Sequence, residues 1–480
     1  MKLTDEQIAA VVRKVSDRLA AEKPAPEQQA DVLTQHVALE DGVFDDVDRC
    51  FDAAWDAYRA LEGGTLDMRC AIIGAMRQAA VDAAPRLSRL AVEETGFGRA
   101  DDKLKKNILV ATKTPGTEAL KPEVFTGDCG MTLTEWAPYG VICSITPCTN
   151  PTETIICNAI GMVAAGNAVI FNPHPLAKRT SQHCIQLLNR AIVKAGGPPN
   201  LLTTLAEPTV ETATTFMKHP RLPLLVVTGG PGVVAAAMAC GKKVIAAGPG
   251  NPPVVVDETA DIAKAGRDVV LGASLDNNIV CTDEKVVVCV DGVADQLKAA
   301  MRQNSAYELN RDQAKQLNEL VIATPPTATE RGEPNKDWIG KDAPKILAEL
   351  GIKVDDAIRL VITDVDADDP LVRTEQLMPV LPVVRVGTVD EAIALAKDVE
   401  AGCRHTAAMW SRNIEKLHAM ARTMDTSIFV KNGPSYAGLG LGGEGFCSFT
   451  IASPTGEGLT CARHFVRHRR CTLVDAFRIV

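Results

Sequence analysis

The sequence predicts an α/β fold built on doubly wound parallel sheets. Three observations predict it. Short apolar runs alternate with helical runs from about residue 143 to about residue 430. Glycines stand where an apolar run meets a helical one, as in LVVTGGPGVVAAAM. The chain has 480 residues, more than one small core needs, and corresponds to about three domains at roughly 150 residues each.

The elements follow in order. Leu3, Ile8, Val11, Val12, Val15 and Leu19 recur at helical spacing, with charges on the other side, so residues 1–20 read as an amphipathic helix. AAEKPAPEQQA continues as a linker over 21–30. From about 44 to 115 the pattern is helical and Ala-rich, through VDRCFDAAWDAYRAL, LDMRCAIIGAMRQAAVDAAPRLSRLAVEETG and DKLKKNILVATKT. TLTEWAPYGVICSITP is extended, with a turn at Pro138–Gly140. TETIICNAIGMVAAG is a helix, NAVIFNP a strand, and TSQHCIQLLNRAIVKAG a helix closed by Gly196 and Gly197. LLTTLA, PTVETATTFMKH and LPLLVVTGGPGVVAAAMACG supply strand, helix, and strand–turn–helix, and KVIAAGPGNPPVVV adds a further strand region. A second α/β unit runs from about 254 to 430. The terminal RRCTLVDAFRIV reads as a strand able to join a sheet of this or another subunit.

Composition excludes several classes. The net charge is −9 and no broad cationic face is readable, which argues against a nucleic-acid binder. The 14 cysteines are scattered, many inside apolar runs such as GVICSI and KVVVCV, which suits structural thiols in a reducing cytosol. No C-x-x-C pair exists. Cys461, His464 and His468 have metal-like spacing but no fourth ligand nearby, so no metal is expected. The N-terminus lacks a secretory pattern, and no apolar run of about 20 residues predicts a membrane span.

Three features can carry chemistry. Gly229, Gly230 and Gly232 lie between a strand and a helix, where glycines permit a tight turn and close approach of a phosphate, though an unliganded βα turn reads the same way. Asn150 stands between Pro147 and Pro151 at a strand–helix junction. Its amide suits a developing oxyanion, whereas spacing alone favours a helix cap. Cys281 follows the amide-rich DNNIV, which reads as better exposed than the cysteine of VVVCV. Its thiol would ionise below the free value of about 8.5 beside backbone donors or a cationic cofactor.

In this order and at these separations the three resemble the aldehyde dehydrogenase superfamily. The resemblance covers about residues 30–480. It makes Cys281 the nucleophile and Asn150 the oxyanion donor. It assigns Pro147, Thr228, Gly229, Gly230, Gly232 and Glu375 to the dinucleotide, Glu375 through the E-x-x-x-P pattern of TEQLMPVLPVV. Hydrolytic members carry a glutamate in E-L-G-G-K-x-P that activates water. Here that stretch is AAGPGNP, with Ala246 at the carboxylate position. The ribose-binding K-P-x-E is likewise altered, to Asn172-Pro173-His174-Pro175. These departures, with VEETGFGRADDKLKKN, TPCTNPTETIICNAI and RRCTLVDAFRIV, resemble the CoA-acylating propionaldehyde and acetaldehyde dehydrogenases of bacterial microcompartments.

The resemblance implies a Rossmann-type cofactor domain over 31–122 and 143–253, and an α/β catalytic domain over 254–450. A β oligomerisation segment is implied over 123–142 and 451–480, in a homodimer or homotetramer. Residues 1–20 become an encapsulation peptide for a shell protein, placing the enzyme in the cytoplasm inside a microcompartment. The implied reaction takes propionaldehyde, NAD and CoA to propionyl-CoA and NADH through a Cys281 thioester, in 1,2-propanediol-type catabolism. Acetaldehyde is the alternative substrate, and NADP the alternative acceptor. The rivals are a hydrolytic enzyme, which Ala246 opposes, a cysteine acyltransferase or thioesterase without redox cofactor, and a non-catalytic shell-associated protein. The basic run from Arg463 to Arg470 reads as an intersubunit or solvated face, or as a contact for CoA phosphates.

Overall fold

The computed structural model describes Ala10, residues 37–327 and residues 330–479. The helix expected over 1–20 and its linker therefore lie outside the described residues, Ala10 excepted. Two compact units are present: one holds the chain up to Glu94, Leu104–Ala247 and the chain from Phe446 onward, and the other holds Thr95–Lys103 and Gly248–Gly445.

The first unit is built on a six-stranded sheet in the order Val43–Phe44, Leu202–Leu205, Ala168–Pro173, Val141–Thr146, Leu224–Thr228, Lys243–Ala247. All its pairings are parallel. VICSIT and AVIFNP are buried along their whole length, as strands covered on both faces require. The short strand Val43–Phe44 was not readable, since two residues set no period. The helix Pro151–Ala164 is buried at every position, which fits a sequence apolar on all sides. Proline at its first turn costs no hydrogen bond there. Its exit is fixed by Asn167, whose side chain accepts from the N–H groups of Tyr139 and Gly140 and donates to the carbonyls of Met162 and Phe465.

A separate antiparallel sheet joins Glu123–Gly127, Gly130–Pro138 and Val466–Val474. The C-terminal strand thus pairs within its own chain. Gly130, at φ +115°, lies where an added Cβ would sit 2.1 Å from the Leu473 carbonyl oxygen. This sheet exposes Val124, Phe125, Leu473 and Val474.

The second unit carries a seven-stranded sheet in the order Ala306–Leu309, Leu360–Val365, Val380–Val386, Val286–Val290, Pro253–Val256, Thr406–Trp410, Ile428–Lys431. These strands too are all parallel. The run KVIAAGPGNPPVVV is therefore not one strand region: Lys243–Ala247 closes the first sheet and Pro253–Val256 opens the second. Two glycines and two prolines between them break the ladder.

Candidate active site

The sequence-predicted residues fall into two sets, one in each unit. In the first unit, Val141–Thr146 is central: the chain winds outward to Ala168–Pro173 and Leu202–Leu205, then returns to Leu224–Thr228 on the other side. The strand order reverses between Val141–Thr146 and Leu224–Thr228, and ligands of such sheets bind outside the carboxyl ends at that point. Pro147 and Asn150 follow the first of these strands, and Thr228, Gly229, Gly230 and Gly232 follow the second, so the fold gathers all six at one edge.

The turn has the features of a dinucleotide cradle. Thr228 is hydrogen-bonded through its hydroxyl to Thr450, at 3.0 Å, and the Gly229 N–H donates to the Ala247 carbonyl at 3.2 Å. A Cβ on Gly230 or Gly232 would meet nothing within 4 Å, so the turn has open space at these two positions. The helix that follows, Pro231–Met238, is apolar yet buries only Ala237, a surface suited to a flat aromatic group.

Asn150 occupies the N-cap position of Pro151–Ala164, but its side chain makes no capping bond. Its Oδ1 instead accepts from Lys106 Nζ at 2.5 Å. The cap expected from spacing is thus a cap in position only. Lys106 is buried and forms an ion pair at 3.1 Å with Glu153, also buried.

In the second unit the chemistry collects at the amino ends of four adjacent strands. Glu375 precedes Val380–Val386, Cys281 precedes Val286–Val290, Gly250 precedes Pro253–Val256, and His405 precedes Thr406–Trp410. The Gly250 N–H donates to Glu375 Oε1 at 3.3 Å. An added Cβ on Gly250 would lie 2.7 Å from the Cys281 carbonyl oxygen and 3.0 Å from the His405 ring, so only glycine lets these two residues approach so closely. Cys281 is partly exposed, whereas Cys289 of VVVCV is buried, as the sequence suggested.

The run before Cys281 is not a solvated loop, however. Residues 274–280 are all buried. Asp276, Asn277 and Asn278 are consecutive left-handed residues, at φ 47°, 56° and 63°. Asp and Asn tolerate this region better than other non-glycine residues, but each still costs on the order of 1 kcal/mol. Side-chain bonds offset the strain. Asp276 accepts from the Arg99 N–H at 2.6 Å and from buried Lys103 at 2.9 Å. Asn277 donates to the Gly340 carbonyl at 2.9 Å, and Asn278 to those of Ala273 and Glu284 at 2.7 and 2.9 Å. Lys285 Nζ closes the loop from inside, donating to Asn278 Oδ1 at 2.5 Å and to the carbonyls of Asn278 and Val280 at 2.9 and 3.1 Å.

The electrostatics leave Cys281 protonated. Burial, then the Glu375 carboxylate, push its thiol up to about 12, against the weaker pull of Lys285. The lowering influences of Lys285 and a backbone hydrogen bond are thus outweighed, and a bound cation would be needed to reverse the balance. Burial and the nearby Lys285 and Arg331 charges hold His405 down to about 3, so its imidazole is neutral. Its Nδ1 lies 2.9 Å from Thr406 Oγ1, and its Nε2 is buried with no hydrogen-bond partner among the described residues. The sequence reading missed His405, Lys106, Glu153 and Lys285. Only the lysine four residues after Cys281 gave a signal, as a charge beside a candidate nucleophile.

One consequence is directly measurable. Alkylation of Cys281 by iodoacetamide in the cofactor-free protein is expected to be slow at pH 7 and to rise about tenfold per pH unit through pH 10, tracking the thiolate fraction. NAD is expected to accelerate it at pH 7. Fast, pH-independent alkylation without NAD would contradict the protonated thiol.

The remaining motif residues serve structure. His464 Nδ1 accepts the Cys461 N–H at 2.9 Å, and the His468 ring stands edge-on to Trp136 at 4.5 Å.

Residues 34–444 match the aldehyde dehydrogenase family. The chain is 54% identical over 442 residues to the acetylating acetaldehyde dehydrogenase EutE of Salmonella typhimurium, covering 92% of this chain and 94% of that one. It is similar to a solved propionaldehyde dehydrogenase from the fucose-utilisation microcompartment of Clostridium phytofermentans, at 46% identity and TM-score 0.89, covering 92% of this chain and 100% of that one. It is similar also to the Rhodopseudomonas palustris propionaldehyde dehydrogenase solved with bound CoA and an acylated cysteine, at 47% identity and TM-score 0.88, with the same coverage.

Proposed function

The chain belongs to the aldehyde dehydrogenase family, and from that premise we propose that it oxidises a short aldehyde to its acyl-CoA, with Cys281 as nucleophile. One observation carries the acylating reading. Ala246, where hydrolytic relatives place a carboxylate, is a buried strand residue whose N–H donates to Thr455 Oγ1 at 3.1 Å. A methyl group cannot activate water.

The steps assign work to this chain's own residues. Cys281, as thiolate, bonds to the aldehyde carbon. By the resemblance, the Asn150 amide and the Cys281 backbone N–H would hold the oxyanion. The turn Thr228–Gly232 and Glu375 are the residues that would hold NAD, which would supply the hydride acceptor. Collapse of the oxyanion leaves a thioester on Cys281. The CoA thiol attacks that thioester, its sulfur bonds to the acyl carbon, and Cys281 leaves. The thiol proton passes to the departing Cys281 sulfur.

The test is NADH formation from propionaldehyde and from acetaldehyde, with and without CoA, with products identified by mass. Sustained turnover only with CoA, yielding acyl-CoA, is expected. Equal turnover without CoA, yielding free acid, would overturn the reading. The two aldehydes differ by one methylene, about 0.8 kcal/mol of burial, so kcat/KM should separate them by only about fourfold. Acetylating acetaldehyde dehydrogenases share 49–55% of residues with this chain and CoA-propanoylating propanal dehydrogenases 48%, which keeps acetaldehyde as the second reading beside propionaldehyde.

The same assay run with NADP reads the acceptor. Asn172 bonds to Thr209 and Thr212, and His174 to the Leu176 N–H, so residues 172–175 present no carboxylate to repel a ribose 2′-phosphate. Residues 1–20 are proposed to bind a microcompartment shell, on the strength of their amphipathic spacing and the microcompartment origin of the Clostridium relative. The exposed apolar residues of the antiparallel sheet are proposed as the homo-oligomer face. No described helix is long and apolar enough to cross a membrane.

A further inference from the structure

The helix Ala100–Lys113 buries a lysine that the reaction scheme above does not use. Lys106 is 1% exposed at its side chain, and its ion-pair partner Glu153 is 0% exposed. An ammonium has three donors and no acceptor. At 2.5 Å from Asn150 it can face only the amide oxygen, and that is the atom it faces. The orientation of the Asn150 amide is thereby determined. Its nitrogen must point away from Lys106. One Nδ2 hydrogen has Thr149 Oγ1 at 3.3 Å, and the other has no acceptor among the described residues.

A neutral cap could not impose this. Asn150 makes no capping bond of its own, so without Lys106 its side chain would be free to turn Oδ1 toward the N–H groups of the helix first turn. In that pose the oxyanion would meet an acceptor. The ammonium also polarises the amide, which strengthens N–H donation on the opposite side. A lone buried ammonium would lose its proton or leave the interior. Glu153 prevents this. It lies three residues after Asn150 in the first turn of Pro151–Ala164, where a carboxylate is favoured by the helix dipole. Its Oε2 accepts from Thr152 Oγ1 at 3.2 Å. The Lys106 ammonium also lies 5.6 Å from the centre of the Phe449 ring.

We propose that Lys106 is a positioning residue for aldehyde oxidation: held by Glu153, its ammonium fixes and polarises the Asn150 amide so that N–H, not C=O, faces the developing oxyanion. This rests on the assignment of Asn150 as oxyanion donor.

The experiment is a double-mutant cycle on the NADH burst of the full chain. Asn150→Ala alone tests the underlying assignment and should lower kcat by about 10²–10³-fold. Lys106→Met should lower kcat by about 10–100-fold with little change in the aldehyde KM. Because Lys106→Met takes the Lys106 ammonium away from buried Glu153, Lys106→Met/Glu153→Gln serves as the folding-safe form and should show the same loss. Asn150→Ala/Lys106→Met should be no slower than Asn150→Ala beyond about twofold. Cys281 alkylation should be unchanged in the Lys106 variants, since the lysine acts on the oxyanion and not the thiol. A silent Asn150→Ala would remove the premise. A costly Asn150→Ala with wild-type activity in Lys106→Met/Glu153→Gln, or with losses that multiply in the double variant, would overturn the role of Lys106 alone.

Discussion

Cys281→Ala should reduce NADH formation by at least about 10⁴-fold at saturating aldehyde, NAD and CoA. The expectation follows from the division of labour in the second unit. Removing a covalent nucleophile deletes the thioester route rather than slowing it, and single deletions from such a machine approach the loss from removing it entirely. His405 Nε2 has no hydrogen-bond partner among the described residues and is no sulfur nucleophile, and Glu375 is held by the Gly250 N–H. Neither can substitute for sulfur. The variant should still bind NAD, because the turn Thr228–Gly232 belongs to the other sheet. Mass spectrometry should find an acyl adduct of the wild-type chain after aldehyde and NAD without CoA, and none on Cys281→Ala. Retained turnover, or an adduct on any of the other thirteen cysteines, would refute the assignment.

The second large effect is on stability. Lys103→Met should destabilise the unit holding Gly248–Gly445 by about 3–5 kcal/mol, the usual cost of breaking a buried ion pair from one side. Lys103 and Asp276 are both 0% exposed and 2.9 Å apart. Truncating the lysine strands a carboxylate in the interior. It also removes a bond that holds the first of three consecutive left-handed residues. Gly98 packs on the same carboxylate, where an added Cβ would lie 2.0 Å from Asp276 Oδ1. Denaturant unfolding should move to lower midpoint, and amide exchange over 274–281 should speed up before the rest of the sheet. Lys103→Met/Asp276→Asn should recover much of the loss, since the buried pair is then removed from both sides. If the single variant unfolded like wild type, the buried pair would be incidental to the Cys281 loop.

Legibility followed the length scale of each feature. The alternation of strands and helices was open to reading because it repeats over hundreds of residues. That the glycine turn, Asn150, Cys281 and Glu375 stand at strand ends was open because apolar runs flank them; the roles proposed for them rest on the resemblance. Cys281 is better exposed than Cys289, as read, but the burial of the DNN run before it was not legible: side chains that suit water also satisfy a buried left-handed turn, and sequence does not separate the two. Lys103 and Lys106 were hidden for a related reason. In KLKKN the three lysines look alike, yet only Lys105 is exposed, because the partners that bury the others stand at Asp276 and Glu153, far along the chain. His405 sits alone in CRHTAAMW and has no motif around it. Its placement emerges only when the amino ends of four strands converge.

The protonation state of Cys281 has a bearing on durability. Peroxide attacks thiolates far faster than thiols, and the products beyond sulfenic acid are not recovered by ordinary reductants. A thiol pushed up to about 12 exposes little thiolate at neutral pH. The resting enzyme should therefore survive oxidant that would inactivate it once the cofactor arrives, so that vulnerability and catalytic competence are switched on together.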